Sequence, residues 1–280
     1  MMGSIYTDKS EYAISTFTYE EIELHEALKE IARHGFTTVE LWGDTVHFDP
    51  RVGIDRKLIK QWLRELGLSV HSVHSPFRNF RNISDAEEFR KFRQQLWHDT
   101  IDDCSEFAVP IMVVHGLHRK EYNYSNDQIQ MVAESLGDLC EYGRNRGVMI
   151  ALENLPGTPN KVNPENSKDD SNEIRCRIQD HVKNYSGLGI KYCLDIGHAV
   201  LNGADLFEEV DAAGKDLVTF HIHNNNGIKD SHDLPDHGII DWPGLHKYIR
   251  ENGYAGQFVL EVLGGSDPFL VMDKIDSLFS

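Results

Sequence analysis

The chain has 280 residues, of which 40% are hydrophobic and 26% charged, a composition typical of globular proteins. Its 45 acidic residues outnumber 28 basic ones, for a formal net charge of −17, which disfavours nucleic acid as a partner. No apolar run approaches the ~20 residues that span a bilayer, and no basic segment followed by an apolar one opens the chain, so we expect a cytoplasmic protein without a membrane-spanning segment.

Short β-rich runs alternate with longer amphipathic stretches along the chain, a pattern typical of repeated βα units. The predicted strands are Ala13–Thr18, Thr37–Trp42, Leu68–His74, Ile111–His115, Met149–Glu153, Lys191–Asp195, Leu217–His223 and Gln257–Glu261. Eight such units, in a chain near the roughly 250 residues usual for this architecture, predict a parallel (β/α)8 barrel with outer helices. We expect it to occupy residues 1–280 as a single domain.

Apolar residues at three- and four-residue spacing predict helices between the strands. The clearest are Tyr19–His34, Asp55–Leu66, Ser84–Phe107 and Ser125–Arg146. Glycines suited to a left-handed helix cap follow such stretches at Gly35, Gly67, Gly147 and Gly253. One connection differs, because Leu155–Asp170 is rich in Pro, Asn and Gly. It is predicted to be a lid or a flexible loop.

Side chains of the metal-ligand type lie at the ends of most predicted strands. In chain order they are Glu40, His74, His115, Glu153, Asp195, His221 with His223, and Glu261. The carboxyl ends of the strands form the active site in (β/α)8 barrels. These side chains are therefore predicted to converge at the mouth of the barrel.

A ring of Glu153, Asp195, His221 and Glu261 would bury three carboxylates together, which is costly without a counter-charge. A divalent cation removes that cost, and oxygen plus imidazole ligands suit Mn, Mg, Co or Zn. We therefore predict one divalent metal at this ring. The four cysteines show no paired spacing and are expected to be buried thiols, not zinc or disulfide partners: Cys104, Cys140, Cys176 and Cys193.

Two histidine pairs need an assignment. His71 and His74 are three residues apart, and on a regular strand such residues point to opposite faces. His74, nearer the strand end, is therefore predicted to face the barrel interior. His221 and His223 share a face, and His221 is predicted to be the ligand and His223 a substrate contact. Glu40 is left open between a structural and a functional role.

Further polar residues surround the predicted ring, namely His74, His115, His198, Asp230 and His232. They are predicted either to hold additional metal ions or, as we favour, to orient a polyhydroxylated substrate and support the ligands of the first metal. Lys229 is expected to position substrate oxygens together with His198. Trp42 and Phe77 are expected to supply apolar walls.

These strand ends, in this order, resemble the xylose isomerase-like barrel superfamily, which includes sugar and sugar phosphate isomerases and epimerases and also endonuclease IV. The motifs are SVHSPF at 72–77, ALENLPG at 151–157, CLDIGHA at 193–199, HIHNNNG with DSH at 221–232, IIDW at 239–242 and VLEV at 259–262. Resemblance to the epimerases implies one divalent ion on the ring of four. Resemblance to endonuclease IV implies three zinc ions on His74, His115, Glu153, Asp195, His198, His221, Asp230, His232 and Glu261.

The net charge of the chain distinguishes the epimerase-like interpretation from the endonuclease-like one. The net charge of −17 opposes DNA binding, and no dense basic stretch beyond FRNFRN at 77–82 offsets it. A small sugar or polyol is therefore favoured over an abasic site. Departures from the family pattern concern the substrate more than the metal: Asn224 replaces a common aspartate, Lys229 lies near a common arginine position, and DLPDHGIIDW lacks the usual glycine-acid-glycine turn.

The predicted reaction is proton transfer next to a carbonyl. A divalent metal would bridge the carbonyl and its neighbouring hydroxyl and stabilise a cis-enediolate, while Glu153 and Glu261 act as the acid/base pair. Epimerisation, aldose–ketose isomerisation and an inosose-type dehydration remain open, as does a non-catalytic sugar-binding barrel. A homo-oligomer, at its simplest a dimer, is expected because the helical faces of barrels often self-associate.

Overall fold

The strands of the chain close into a barrel. The computed structural model describes residues 8–44, 47–53, 55–78, 86–116, 126–156 and 176–280, without the side chains of residues 86 and 126–128. Its strands, β1 to β8, are Tyr12–Ser15, Thr38–Trp42, Ser69–His74, Ile111–His115, Met149–Glu153, Lys191–Asp195, Leu217–Ile222 and Phe258–Leu260. Each is parallel to the next, and β1 also pairs with β8. The predicted (β/α)8 barrel is confirmed.

Helices surround this barrel. Over the described residues they are, from α1 to α9, Leu24–Arg33, Arg56–Leu66, Ala86–Glu106, Asn126–Arg144, Ile178–Tyr185, Ile196–Leu201, Leu206–Ala213, Trp242–Glu251 and Pro268–Ser277. The buried residues of α1 are Leu24, Ala27, Leu28 and Ile31, whose spacing makes one apolar face. Such faces pack on the outward side of the sheet and exclude water there. Within the described part of the chain, every helix is too short or too polar to cross a bilayer.

Part of the barrel interior below its mouth is apolar. Ile111, Val113, Ala151 and Cys193 form a separate buried cluster there. Successive residues of a strand point to opposite faces, so the next inward position along β4, β5 and β6 is its last residue. This alternation carries the polar ends of these strands to the mouth of the barrel.

The junction between β1 and α1 differs from the prediction. A 3₁₀ turn at Thr16–Tyr19 follows β1, so the predicted strand Ala13–Thr18 and the predicted helix Tyr19–His34 are wrong where they meet. The Thr16 hydroxyl accepts a hydrogen bond from the Trp42 backbone N–H at 2.8 Å, which holds the turn against β2. A polar contact between this turn and β2 therefore overrides the local β pattern of the sequence.

A β-bulge overturns the assignment of the first histidine pair. Val39 pairs with Val70 whereas Glu40 pairs with Ser72, which leaves His71 as the extra residue of β3. The alternation is reset there, and His71 Nε2 lies 3.1 Å from the Thr219 hydroxyl on β7, across the barrel. Both His71 and His74 thus face the interior, and the prediction that only one does so is wrong.

Smaller predictions have clear outcomes. β4, β5 and β6 have the predicted bounds, whereas β7 and β8 are shorter, so His223 and Glu261 lie just beyond them. The expected left-handed glycines are confirmed at Gly35, Gly67, Gly147 and Gly253. The four cysteines are buried and form no disulfide with one another, as predicted. Residues 157–170 of the predicted lid and 79–82 of the basic loop lie outside the described residues.

Gly43, directly after β2, allows a close approach of two strand ends. A Cβ at this position would lie 2.1 Å from the His74 carbonyl oxygen and 2.9 Å from Pro76. Gly43→Ala is therefore expected to lower the free energy of unfolding by about 1–3 kcal/mol, the usual cost of overpacking. Urea unfolding monitored by circular dichroism measures this loss.

The matched control is Gly137→Ala in α4, where a Cβ would lie 3.8 Å from its nearest neighbour, Leu188. This substitution is expected to be neutral or to stabilise the protein by about 1 kcal/mol, because alanine is the better helix former. Equal stability of the two variants would contradict the proposed contact.

Candidate functional site

The four predicted ligands of the first metal come together at the barrel mouth. Glu153, Asp195 and His221 lie at or near the ends of β5, β6 and β7, and Glu261 follows β8 directly. All four are buried, and one ligand atom from each lies within 4.8 Å of the others. The parallel strands bring together residues that are far apart in sequence, so the site depends on closure of the barrel.

The orientation of His221 is fixed from behind by Glu40. His221 Nε2 lies 3.2 Å from Glu40 Oε2, which also accepts a hydrogen bond from the Ser72 hydroxyl at 2.7 Å. His221 Nδ1 is then 3.3 Å from Glu153 Oε1 and 3.4 Å from Glu261 Oε2. Glu40, left open from the sequence, supports a member of the ring.

The donor set fits a divalent cation. Three carboxylates and one imidazole are suitable ligands for Mn, Mg, Co or Zn. Among the described residues His221 Nδ1 is buried without a hydrogen-bond partner, although carboxylate oxygens surround it. Buried polar atoms are normally satisfied, so a nitrogen in this position is suited to coordinate a metal.

Asp195 is held by backbone and side-chain contacts on several sides. Its Oδ1 accepts a hydrogen bond from the His198 backbone N–H at 2.6 Å, and its two oxygens lie 3.0 and 2.9 Å from His223 Nε2. Asn154 exchanges two hydrogen bonds of 2.8 Å with the Asp195 backbone. His223, predicted to contact substrate, is fully buried behind Asp195.

The pKa values of the two glutamates of the ring are shifted in opposite directions. Burial opposes ionisation of Glu153, but the positive charge of His221 and the hydrogen bond from His115 hold its pKa well below the usual range. Burial, only partly offset by His221 and reinforced by the negative charge of Glu153, raises the pKa of Glu261 well above the usual range. One carboxyl group therefore favours the ionised form and the other the protonated form.

A second group of side chains meets the first at Glu153. His74 Nε2 and His115 Nε2 lie 3.2 and 3.1 Å from Glu153 Oε2. Burial lowers the pKa of His115 to about 4, although Glu153 opposes this shift. His115 is therefore neutral at pH 7, as a metal ligand or a hydrogen-bond acceptor needs to be.

A third group lies on the other side of the ring and contains His198, His223, Asp230 and His232. Asp230 Oδ2 is 3.3 Å from His198 Nε2, and Asp230 Oδ1 is 3.4 Å from His232 Nε2. The rings of His223 and His232 stack at 3.8 Å. Within the described chain, the nine residues of the multi-zinc interpretation, together with His223, therefore form three adjoining groups.

A cavity of about 300 Å³ opens onto these groups. Its lining contains the predicted residues Trp42, His74, Phe77, His115, Glu153, His198, Asp230, His232 and Glu261. His223 and the exposed Lys229 are not among the described residues that line it.

Of the lining residues that were not predicted, four also lie outside the quoted family motifs: Phe17, Arg78, Arg93 and Trp97. Phe17 lies in the 3₁₀ turn after β1, and Arg78 follows the third-strand motif. Arg93 and Trp97 lie inside α3, where apolar spacing signals only packing. The basic FRNFRN loop was the only sequence signal near any of them.

Asn224 has a structural role that explains its departure from the family pattern. Its side-chain amide donates to the carbonyl oxygens of Pro235 and Ile240, at 2.8 and 3.2 Å, and its Oδ1 accepts from two backbone N–H groups. An ionised aspartate has no donor for the first two contacts. Asn224 therefore holds the loop that carries Asp230 and His232.

Because Glu40 orients His221, its charge is expected to strengthen metal binding. Glu40→Gln is expected to weaken divalent metal affinity by about 10–100-fold, the usual effect of losing such a supporting carboxylate. Competition titration of Zn and Mn against a chromophoric chelator measures the change. Ser72→Ala, which removes a hydrogen bond to the same carboxylate but no charge, is the control with a smaller effect, and unchanged affinity in Glu40→Gln would refute this role.

Comparisons with known proteins agree with this architecture. A family model described as xylose isomerase-like TIM barrel matches residues 28–278. Fructoselysine 3-epimerase of Shigella flexneri is 23% identical over 257 residues, which cover 89% of this chain and 88% of the relative. The solved structure of a D-tagatose 3-epimerase-like protein superposes with a TM-score of 0.77 at 20% identity and covers 96% of both chains. An AP endonuclease of family 2 from Brucella melitensis superposes with a TM-score of 0.68 at 16% identity, covering 93% of this chain and 96% of the other.

Proposed function

We propose, because the chain belongs to the xylose isomerase-like TIM barrel family, that it is a divalent-metal-dependent sugar or polyol epimerase or isomerase. One observation carries this proposal. Of the four ring residues, Glu153 and Glu261 alone also line the cavity in the described part of the chain. A substrate in the cavity would therefore contact these two carboxyl groups, while Asp195 and His221 stay behind them.

Each of these carboxyl groups transfers one proton in the proposed mechanism. A divalent cation held by Glu153, Asp195, His221 and Glu261 would supply Lewis-acid stabilisation of the negative charge that develops next to the carbonyl. Glu153, whose low pKa keeps it ionised, removes the proton from the carbon beside the carbonyl. Glu261, the other ring carboxyl group that lines the cavity, carries a second proton and delivers it from the other side. Delivery to the same carbon inverts that centre.

The remaining cavity residues orient the sugar. His74, His115, His198, Asp230 and His232 offer donors and acceptors for its hydroxyl groups. Trp42 and Phe77 line the same space with aromatic surface, on which the CH faces of a sugar pack. A cavity that combines polar groups with an apolar wall is usual for small-molecule sites.

A product screen tests the proposal. Protein loaded with Mn, Mg, Co or Zn is incubated with a panel of ketoses and inososes, and products are identified by NMR. We expect an epimer or an aldose from at least one ketose. Loss of water would identify a dehydratase instead, and sugar binding without turnover for any metal would identify a non-catalytic barrel.

The second candidate is a multi-zinc phosphodiesterase related to endonuclease IV. It is favoured by the three adjoining groups of His, Asp and Glu at the mouth, and opposed by the net charge of −17. Metal analysis and cleavage of an abasic DNA duplex separate the candidates. About three zinc ions per chain together with strand scission would overturn the sugar proposal.

A further inference from the structure

We propose that Asp44 and Arg51 are positioning residues that hold one wall of the sugar site. The proposal rests on the proposed function, because it concerns how the same cavity holds its sugar. Neither residue is among the described residues that line the cavity. They act through Phe77 and Arg78, which do line it and which lie shortly after the end of β3.

Asp44 binds the backbone of this wall directly. Its side chain is fully buried, and its Oδ2 accepts hydrogen bonds from the backbone N–H groups of Phe77 and Arg78 at 2.9 and 3.1 Å. Hydrogen bonds to an ionised acceptor are stronger than those between neutral groups. The position of the backbone at residues 77–78 therefore depends on one carboxylate.

Arg51 holds the same segment from its carbonyl side. Its Nη2 pairs with Asp44 Oδ1 at 2.8 Å, and its Nη1 donates to the Arg78 carbonyl oxygen at 2.9 Å. Asp49 fixes the guanidinium group in turn, since its Oδ1 and Oδ2 lie 2.8 and 2.7 Å from Nε and Nη2 of Arg51. A guanidinium group offers its donors in a rigid fork, so it binds the carboxylate and the carbonyl at the same time. Asp44 and Arg51 together form a clamp on residues 77–78.

The side chains held by the clamp form a continuous part of the cavity wall. The centre of the Phe77 ring lies 4.2 Å from that of His115 and 5.3 Å from that of Trp42. The guanidinium carbon of Arg78 lies 5.2–5.5 Å from the ring centres of Phe17, Trp42 and Phe77. A shift of the backbone at residues 77–78 moves both side chains, so the clamp sets the shape of the space that the sugar occupies.

Asp44 is separate from the metal ring. Among the described residues, its hydrogen bonds and ion pairs join it to Arg51 and to the backbone of residues 77–78, and none joins it to the ring. The clamp is therefore expected to govern how tightly the sugar binds, while proton transfer stays with Glu153 and Glu261.

Calorimetric titration of hexitols tests the clamp without turnover, because glucitol, mannitol and galactitol have no carbonyl group. We expect the metal-loaded wild type to bind at least one of them, and Asp44→Asn to bind it about tenfold more weakly. Asparagine has no charge for Arg51, and its NH₂ group faces a donor whichever way it is turned. The matched control is Asp205→Asn, at an exposed carboxylate that also accepts from two consecutive backbone N–H groups, and it is expected to keep the wild-type affinity.

Backbone hydrogen exchange shows whether Asp44 acts through this wall. The N–H groups of Phe77 and Arg78 are expected to exchange about tenfold faster in Asp44→Asn, because they lose a charged acceptor, and at the wild-type rate in Asp205→Asn. For a ketose that the protein turns over, Asp44→Asn is expected to raise KM about tenfold and to keep kcat within about twofold. Loss of folded protein would instead lower kcat and leave KM unchanged.

Folded Asp44→Asn with wild-type hexitol affinity would overturn the proposal, and so would weaker binding without faster exchange at residues 77–78. A wild type that binds no hexitol would also overturn it. Dependence of hexitol affinity on the clamp in a protein that turns over no ketose would contradict the epimerase proposal alone.

Arg51→Lys decides the question if Asp44→Asn does not fold. Lysine keeps a charge beside Asp44 but lacks the fork that also reaches the Arg78 carbonyl, so hexitol binding is expected to weaken about threefold. Unchanged affinity in this variant would overturn the proposal.

Discussion

Replacing Glu153 with glutamine is expected to lower turnover by about a thousandfold, within the range for loss of a general base. The variant keeps the shape of the side chain but cannot accept the proton. Glu153 is the residue at which the groups of the mouth meet, since His74, His115, His198 and His221 all approach its carboxylate within 3.4 Å. Steady-state rates with the ketose identified in the product screen measure the effect.

Two controls distinguish this catalytic role from a general loss of folding or of the metal. Glu65→Gln makes the same chemical change on the exposed side of α2 and is expected to leave turnover unchanged. Metal content of the Glu153→Gln protein, measured by mass spectrometry, shows whether the ring still binds its ion. A metal-loaded variant with a rate near that of the wild type would remove Glu153 from the proposed mechanism.

Removal of the metal is expected to abolish turnover and to destabilise the protein. Ion binding at 100 to 1,000 times its dissociation constant contributes roughly 3–4 kcal/mol to stability. For a chain of this size each kcal/mol corresponds to about 2–4 °C in the melting temperature. The protein is expected to lose stability because the buried ring holds three carboxylates and a single imidazole, and their negative charge is uncompensated without the cation.

Chelation followed by re-addition of single metals measures both effects. Scanning calorimetry reports the melting temperature, and the product assay reports turnover before and after Mn, Mg, Co or Zn is restored. The ion that restores both is identified as the functional one. Full activity in protein without detectable metal would contradict the proposal.

The architecture and the ring were largely predictable because both follow from periodicity. Alternation along each strand fixes which side chains face inward, so strand-end residues such as Asp195 and Glu261 are expected at the mouth. The same rule failed at His71, because a β-bulge in β3 shifts the alternation by one residue. The sequence around His71 contains no feature that distinguishes a bulge from a regular strand.

The walls of the cavity were predictable only in part. Trp42 and Phe77 lie close in sequence to strand ends, so their position could be expected. Arg93 and Trp97 lie two or three turns into a helix, where the same residue types usually pack or face solvent. Their place in the cavity depends on how α3 lies against the barrel, and that is a tertiary property.

The role of His223 also could not be predicted from the sequence. It lies just beyond β7, two residues after His221, and Gly197 lets its ring lie directly behind Asp195, since a Cβ there would lie 2.0 Å from His223 Cε1. A contact between α6 and the residue that follows β7 therefore decides whether such a histidine reaches substrate or supports a ligand.

Hydrogen exchange in deuterated water tests the central claim most directly. Metal-loaded protein is incubated with ketoses and inososes in D₂O, and the signal of the hydrogen beside the carbonyl is followed by NMR. We expect deuterium to replace that hydrogen in at least one compound with the wild type, and not with the chelated protein or with Glu153→Gln. Absence of exchange in every compound with every metal would contradict proton transfer by Glu153 and Glu261.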